Sequence, residues 1–197
     1  RVLFILPPQP AIPAHHIKGK GVWQVSNSRQ INDDPTSFDI RFDPTVQRMS
    51  GYAVHGNTPF DVPFVSQILG NLWQGGCANG LVLPDQFEHV ISLYKWERYT
   101  VRQSLKSFLV ITMYDSTDGP DRKELDRLAC WIQDCVDDGP TLVHCQGGLN
   151  RSSLVVGISL FGAFGEGFDN GADIIDLIRE KRSPACLCNP TFEKILR

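Results

Sequence analysis

A short apolar strand that runs into a glycine turn and then into an almost wholly apolar helix constrains this chain more than any other feature. Thr141, Leu142 and Val143 read as a buried strand, and residues 153–164 as a helix with apolar side chains around most of its circumference. Between them lies the stretch His144-Cys145-Gln146-Gly147-Gly148-Leu149-Asn150-Arg151-Ser152. A strand, a tight turn and a helix N-terminus make an anion site, because the N–H groups of the turn and the positive helix end converge on one point. A thiol at the start of such a turn has its pKa lowered, to about 3.5–7.5 in comparable settings. A guanidinium at its end offers a planar fork to two phosphate oxygens. Nucleophile and cradle in one loop imply phosphoryl transfer through a covalent cysteine intermediate.

The rest of the chain predicts the scaffold for that loop. From Asn71 onward strands and helices alternate. Leu72, Trp73 and Gln74 predict a strand, residues 83–88 a short helix opening at Pro84, and residues 89–94 a second strand. Residues 108–113 predict a third strand, with the near-continuous apolar run of one covered on both faces. Residues 122–136 predict a helix with Leu125, Leu128, Ala129, Ile132, Cys135 and Val136 on one face. A later helix spans residues 172–182, with basic residues in its last turn and Pro184 as its stop. Asn189 and Pro190 suit the cap and first position of a final helix. The expected fold is α/β, a mostly parallel central sheet flanked by helices.

Composition changes near residue 66. Eight of the thirteen prolines (Pro7, Pro8, Pro10, Pro13, Pro35, Pro44, Pro59, Pro63) precede it, and such spacing opposes long helices. Residues 1–66 therefore read as a proline-rich N-terminal extension packed on a domain of residues 67–197. Residues 22–25 and 38–42 alternate apolar and polar side chains and read as short strands. The 197 residues carry a formal net charge of −3, which does not favour a polyanion such as DNA as main partner. No apolar run approaches a membrane span of about 20 residues, and prolines follow residues 2–6 too closely for a signal peptide. Six cysteines without paired CxxC spacing suit a reducing compartment, cytoplasmic or nuclear.

In open parallel sheets ligands gather at the C-terminal strand edges. Three loops open there: residues 95–99, residues 115–120 and the Cys145 turn. The middle loop supplies a carboxylic acid to protonate the departing oxygen and, as carboxylate, to activate the water that breaks the thiophosphate. Asp115, directly after its strand, is the first choice for this acid. Asp118 is second, since it also suits a cap for the next helix, and Asp121 is third, a first-turn residue favourable to the helix dipole. Arg151 binds two equatorial oxygens of the transferring group. Strand alternation turns His144 away from Cys145, so its expected role is a hydrogen bond that fixes the loop. Gly147 and Gly148 let backbone amides approach the phosphate. His15, His16, His55, His89 and His144 form no ligand spacing, so neither metal nor cofactor is expected. Cys186 and Cys188 cannot close a tetrahedral metal site alone and read as structural, with a disulfide to oxidised Cys145 as the redox alternative.

The loop resembles the His-Cys-x-x-Gly-x-x-Arg-Ser/Thr signature of the protein tyrosine phosphatase superfamily, with every defined position filled. The likeness spans residues 70–197 and includes the acid loop, the run Ile178-Arg179-x-Lys181-Arg182-Ser183-Pro184 and the pattern Asn189-x-x-Phe192. It implies a cysteine-phosphatase fold of the dual-specificity type and metal-independent hydrolysis through a phosphocysteine. It implies Cys145 as nucleophile, Gln146, Gly147, Gly148, Leu149, Asn150 and Arg151 as the phosphate-binding loop, and Ser152 as the hydroxyl that eases thiolate departure. Asp115 lies thirty residues before Cys145, close to the family's acid-to-cysteine spacing. No segment resembles the long phosphotyrosine-recognition loop of tyrosine-specific members, so a shallower pocket for phosphotyrosine, phosphoserine and phosphothreonine proteins is expected, with Tyr94, Trp96 and Tyr99 as candidate walls. The loop has no lysine, which speaks against phosphoinositides. Asn150 before Arg151 resembles RNA 5′-triphosphatases, so 5′-triphosphorylated RNA is the alternative substrate. A weakly active phosphate-binding interaction module is a third reading.

Overall fold

Val90 and Ile91 are neighbours on one strand, yet they are buried in two different apolar clusters, and Leu142 and Val143 divide in the same way. That period-two split describes a sheet covered on both faces. The computed structural model describes residues 22–25, 44–163, 168 and 170–197. Its strands are β1 (Val22–Val25), β2 (Arg48–Tyr52), β3 (Pro59–Pro63), β4 (Val65–Leu69), β5 (Leu72–Gly75), β6 (His89–Ser92), β7 (Ser107–Thr112) and β8 (Thr141–His144). Its helices are α1 (Arg122–Asp138), α2 (Arg151–Ala163), α3 (Gly171–Lys181) and α4 (Pro190–Leu196). The central sheet has the order β1-β7-β6-β8-β5-β4, and β2 and β3 form a separate hairpin. β7, β6, β8 and β5 run parallel, and β1 and β4 are added antiparallel at the two edges.

The four helices share one cluster with Ile91, Ile111 and Val143 on one face of the sheet. α2 is its centre, in contact with α1, α3 and α4. Its first ten residues are buried all round, as expected for a helix apolar on every side. The other face is covered without helices: Leu81, Leu83, Phe87, Tyr99 and Leu105 pack there against Val90 and Leu142. The helix expected over residues 83–88 is therefore corrected to a single turn, closed by Phe87 N–H to Pro84 O. Leu83 N–H instead bonds Thr100 O, and Val82 bridges Thr100. One turn cannot repay helix nucleation, so the pairing wins.

Capping follows the residues. Asp121, not Asp118, caps α1 by accepting from Lys123 N and Glu124 N, which corrects both readings: Asp118 does not cap α1, and Asp121 precedes its first turn. Asn170 caps α3, and Asn189 caps α4 with Pro190 behind it. β1 matches the strand expected at residues 22–25; residues 38–42, His15 and His16 lie outside the described residues. Ser92 pairs with both His144 and Val110, so β6, β7 and β8 end side by side. The three loops after them open at one edge.

Candidate active site

The turn from His144 to Arg151 is held from outside by its carbonyls. Gln146 O accepts Cys77 N–H, and Leu149 O accepts Leu187 N–H. Gly147 O and Gly148 O both accept from the Arg182 guanidinium, and Gly148 O also takes Gln74 Nε2. With these carbonyls facing the scaffold, the loop's amide edges face its interior, the arrangement of an anion-binding nest. Gly148 makes this possible. Its φ is +65°, and a Cβ there would meet Gly75 C at 2.4 Å and Arg182 Nη2 at 2.5 Å. Its N–H donates to Cys145 Sγ at 3.2 Å, and Ser152 Oγ lies 3.4 Å from the same sulfur.

Arg151 opens α2 beside the thiol and is 9% exposed. Nη1 donates to Met113 O at 3.3 Å, and the guanidinium lies 5.0 Å above the Tyr94 ring. Its Nε is buried with no acceptor among the described residues. A buried donor of that kind costs about 1–3 kcal/mol until an acceptor arrives, and an oxyanion above Cys145 is such an acceptor. Trp96, 56% exposed, packs on Tyr94 at 5.1 Å. Tyr99 is corrected from pocket wall to core: it is buried, donates to Gly76 O and meets the His144 ring edge-on. The edge of His144 is thus clamped, and its Nδ1 lies 3.3 Å from Cys145 O.

The acid loop is tied to this turn by two asparagines. Asn150 Nδ2 donates to Asp115 Oδ2 at 2.9 Å, and Asn189 Nδ2 donates to Asp115 Oδ1 at 2.7 Å. Asp118 lies three residues further along the same loop, in the turn before Gly119. Sequence reasoning missed the parts played by Asn189, read as a helix cap and as the start of the Asn189-x-x-Phe192 pattern, and by Arg182, read as a last-turn basic residue of the family-like run. Arg182 is buried and donates also to Pro63 O, Ser66 Oγ, Gln74 O and Phe64 O. Its single visible signal is its place in the Lys181-Arg182-Ser183-Pro184 run, which says nothing of burial.

The electrostatics separate one thiol from the rest. Burial by itself pushes the Cys145 thiol up, but the Arg151 charge, the Ser152 hydroxyl and the Ser152 and Gly148 amides outweigh it, so the net shift is downward. Burial pushes Cys77, Cys186 and Cys188 up. His144 is pushed down to about 4 by complete burial, so it stays neutral. Glu88, His89 and Asp138 are the group of possible cation ligands among the described residues. They sit at the opposite edge of the sheet, where Lys106 Nζ already pairs with both carboxylates.

The chain is similar to known proteins in both sequence and fold. No family model matches it. A dual specificity protein phosphatase of vaccinia virus is 26% identical over 96 residues, 47% of this chain and 56% of the relative. The chain thus spans little more than half the length of that relative. Human DUSP28 superposes with a TM-score of 0.57 at 17% identity, covering 68% of this chain and 90% of that one. A mouse putative dual specificity phosphatase complexed with zinc tungstate gives 0.55 at 17% identity, covering 68% and 86%. The fold is that of the dual-specificity phosphatases, and the loop carries the signature of their superfamily.

Proposed function

We propose that this domain hydrolyses phosphate monoesters on proteins, phosphotyrosine first and phosphoserine and phosphothreonine with it, through a cysteinyl-phosphate intermediate. The observation that carries the reading is the pairing of a thiol whose pKa is lowered by its neighbours with the buried, acceptor-less Arg151 Nε beside it. Cys145 Sγ attacks phosphorus in line with the leaving oxygen, forming the S–P bond as the P–O bond breaks. Asp115 gives its proton to that oxygen. Arg151 and the inward amides of the loop hold the equatorial oxygens as charge spreads over them. Water then attacks phosphorus and gives a proton to Asp115. The S–P bond breaks, inorganic phosphate departs, and the Ser152 hydroxyl receives the returning thiolate.

The substrate reading rests on likeness and on the pocket rim. The poxvirus relative is named a dual specificity protein phosphatase, and the mouse structure holds tungstate, a tetrahedral oxyanion. Tyr94 and exposed Trp96 offer aromatic surface beside Arg151, which suits the ring of a phosphotyrosine. The RNA 5′-triphosphatase alternative draws no support from the relatives or the fold neighbours. The test is hydrolysis of p-nitrophenyl phosphate, its inhibition by vanadate and its loss in Cys145→Ser, followed by phosphopeptides against 5′-triphosphorylated RNA. Turnover that survives Cys145→Ser refutes the mechanism, and faster turnover of the RNA refutes the substrate class.

A further inference from the structure

The acid loop also receives a contact from the turn between β2 and β3, outside residues 70–197. The turn joining β2 to β3 is closed by Ala53 N–H to Thr58 O and passes through Gly56 and Asn57 at positive φ. Ala53 is buried in the helix-side cluster, and Phe60 packs on it, so the hairpin is anchored. The turn brings His55 Nε2 to 3.1 Å from Asp115 Oδ1, with both side chains 22% exposed.

The orientation of the other two groups on Asp115 is forced. Asn150 Oδ1 already accepts Cys188 Sγ–H and Asn189 N–H, so its Nδ2 must face the carboxyl. Asn189 Oδ1 caps α4 through Thr191 N–H, so its Nδ2 must face it too. These two fixed N–H donors hold the carboxyl from two sides. His55 Nε2 lies against Oδ1 from a third direction. It is buried and has no hydrogen bond of normal geometry to any described group. Besides this pair, the titratable group in the ring of contacts is the Cys188 thiol, whose sulfur the His55 backbone N–H reaches.

We propose that His55 is a positioning residue for Asp115, its ring set beside Oδ1 so that the carboxyl stays aimed at the leaving oxygen; this rests on the phosphatase reading above. When the P–O bond breaks, the Asp115 proton passes to the leaving oxygen, and when water attacks the phosphocysteine its proton returns to Asp115. Without the His55 ring the carboxyl loses the third group that holds it, and the acid step suffers most where the leaving oxygen is most basic.

The experiment compares His55→Phe, which keeps a ring of similar size, with the wild type on aryl phosphates of rising leaving-group pKa. The expected loss in kcat grows from about twofold on p-nitrophenyl phosphate to tenfold or more on phenyl phosphate, within the range of general acid catalysis, with KM little changed. Asp115→Ala combined with His55→Phe should lose no more than Asp115→Ala alone. A loss equal across leaving groups, or additive with Asp115→Ala, overturns the proposal. A second measurement needs no turnover: the His55 ring signals, followed by NMR at one pH, should shift in Asp115→Asn. Unmoved signals overturn the contact. Should the wild type hydrolyse no phosphate ester, the phosphatase reading falls while the NMR comparison still decides the contact.

Discussion

Cys145 and Cys186 are both buried, at 2% and 0% exposure, and both lie against the ring of groups around the signature turn. They behave oppositely. Cys186 sits in the turn after α3 among Arg182, Ser153 and Ser183, yet burial dominates and its thiol is pushed up. Cys145 is as buried, but it also has Arg151, the Ser152 hydroxyl and the Ser152 and Gly148 amides directed at it, and its thiol is pushed down. The difference teaches that a guanidinium in the neighbourhood does not suffice. A reactive thiolate needs several donors converging on one sulfur from a backbone that cannot turn away.

The contrast is broken most sharply by substituting each cysteine in turn. Cys145→Ser should reduce phosphate-ester hydrolysis to background, and Cys186→Ser should keep it within a few-fold of wild type; equal losses, read by p-nitrophenolate release, would erase the distinction. Arg151→Lys keeps the charge but loses the planar fork. A fall in kcat of about 10²–10³, the range for losing one transition-state donor, is expected, with iodoacetamide alkylation of Cys145 shifted to higher pH. Alkylation at pH 6 that still selects Cys145 over the other thiols would refute the part given to Arg151.

Gly148→Ala sharpens the geometric half of the comparison. The new Cβ collides with the Gly75 backbone and Arg182 at a positive φ, so a loss of roughly 1–3 kcal/mol is expected from strain, seen as a lower Tm, together with slower turnover. An unchanged Tm would show that the turn has room to relax. A further effect is on acid stability. His144 is neutral and buried with its pKa at about 4 against an ordinary 6.5, so the unfolded chain takes up its proton first. The stabilisation is complete above pH 6.5 and is lost as pH falls toward 4, about 3 kcal/mol at 1.36 kcal/mol per unit. His89, also lowered by burial, acts in the same direction. Denaturant midpoints at pH 7 and pH 4.5 measure it, and His144→Asn should flatten the difference.

Legibility followed periodicity and local chemistry. α1 was readable because six apolar residues recur at helical spacing, and all six are buried. The strand, turn and helix around Cys145 were readable for the same reason. The stretch over residues 83–88 was misread because Pro84 opens a turn as readily as a helix, and only the pairing of Leu83 with Thr100 decides between them. β4 and the β2–β3 hairpin were not anticipated, since short strands near prolines carry little pattern. Asp115 was ranked above Asp118 from its place after the strand, but nothing local pointed to Asn150, Asn189 and His55 as its partners.

The chain's own order determined the elements: where apolar residues repeat, where a carboxylate or amide can cap, and where cysteine, glycine and arginine fall within nine residues. Only the tertiary structure decided which side chains meet. His55 and Asp115 are sixty residues apart in the chain, and Arg182 reaches Gly148 from the end of another helix. Contacts between distant segments depend on sheet order and helix packing, which no local pattern encodes, and it is those contacts that leave one thiol ionisable and one carboxyl held in place.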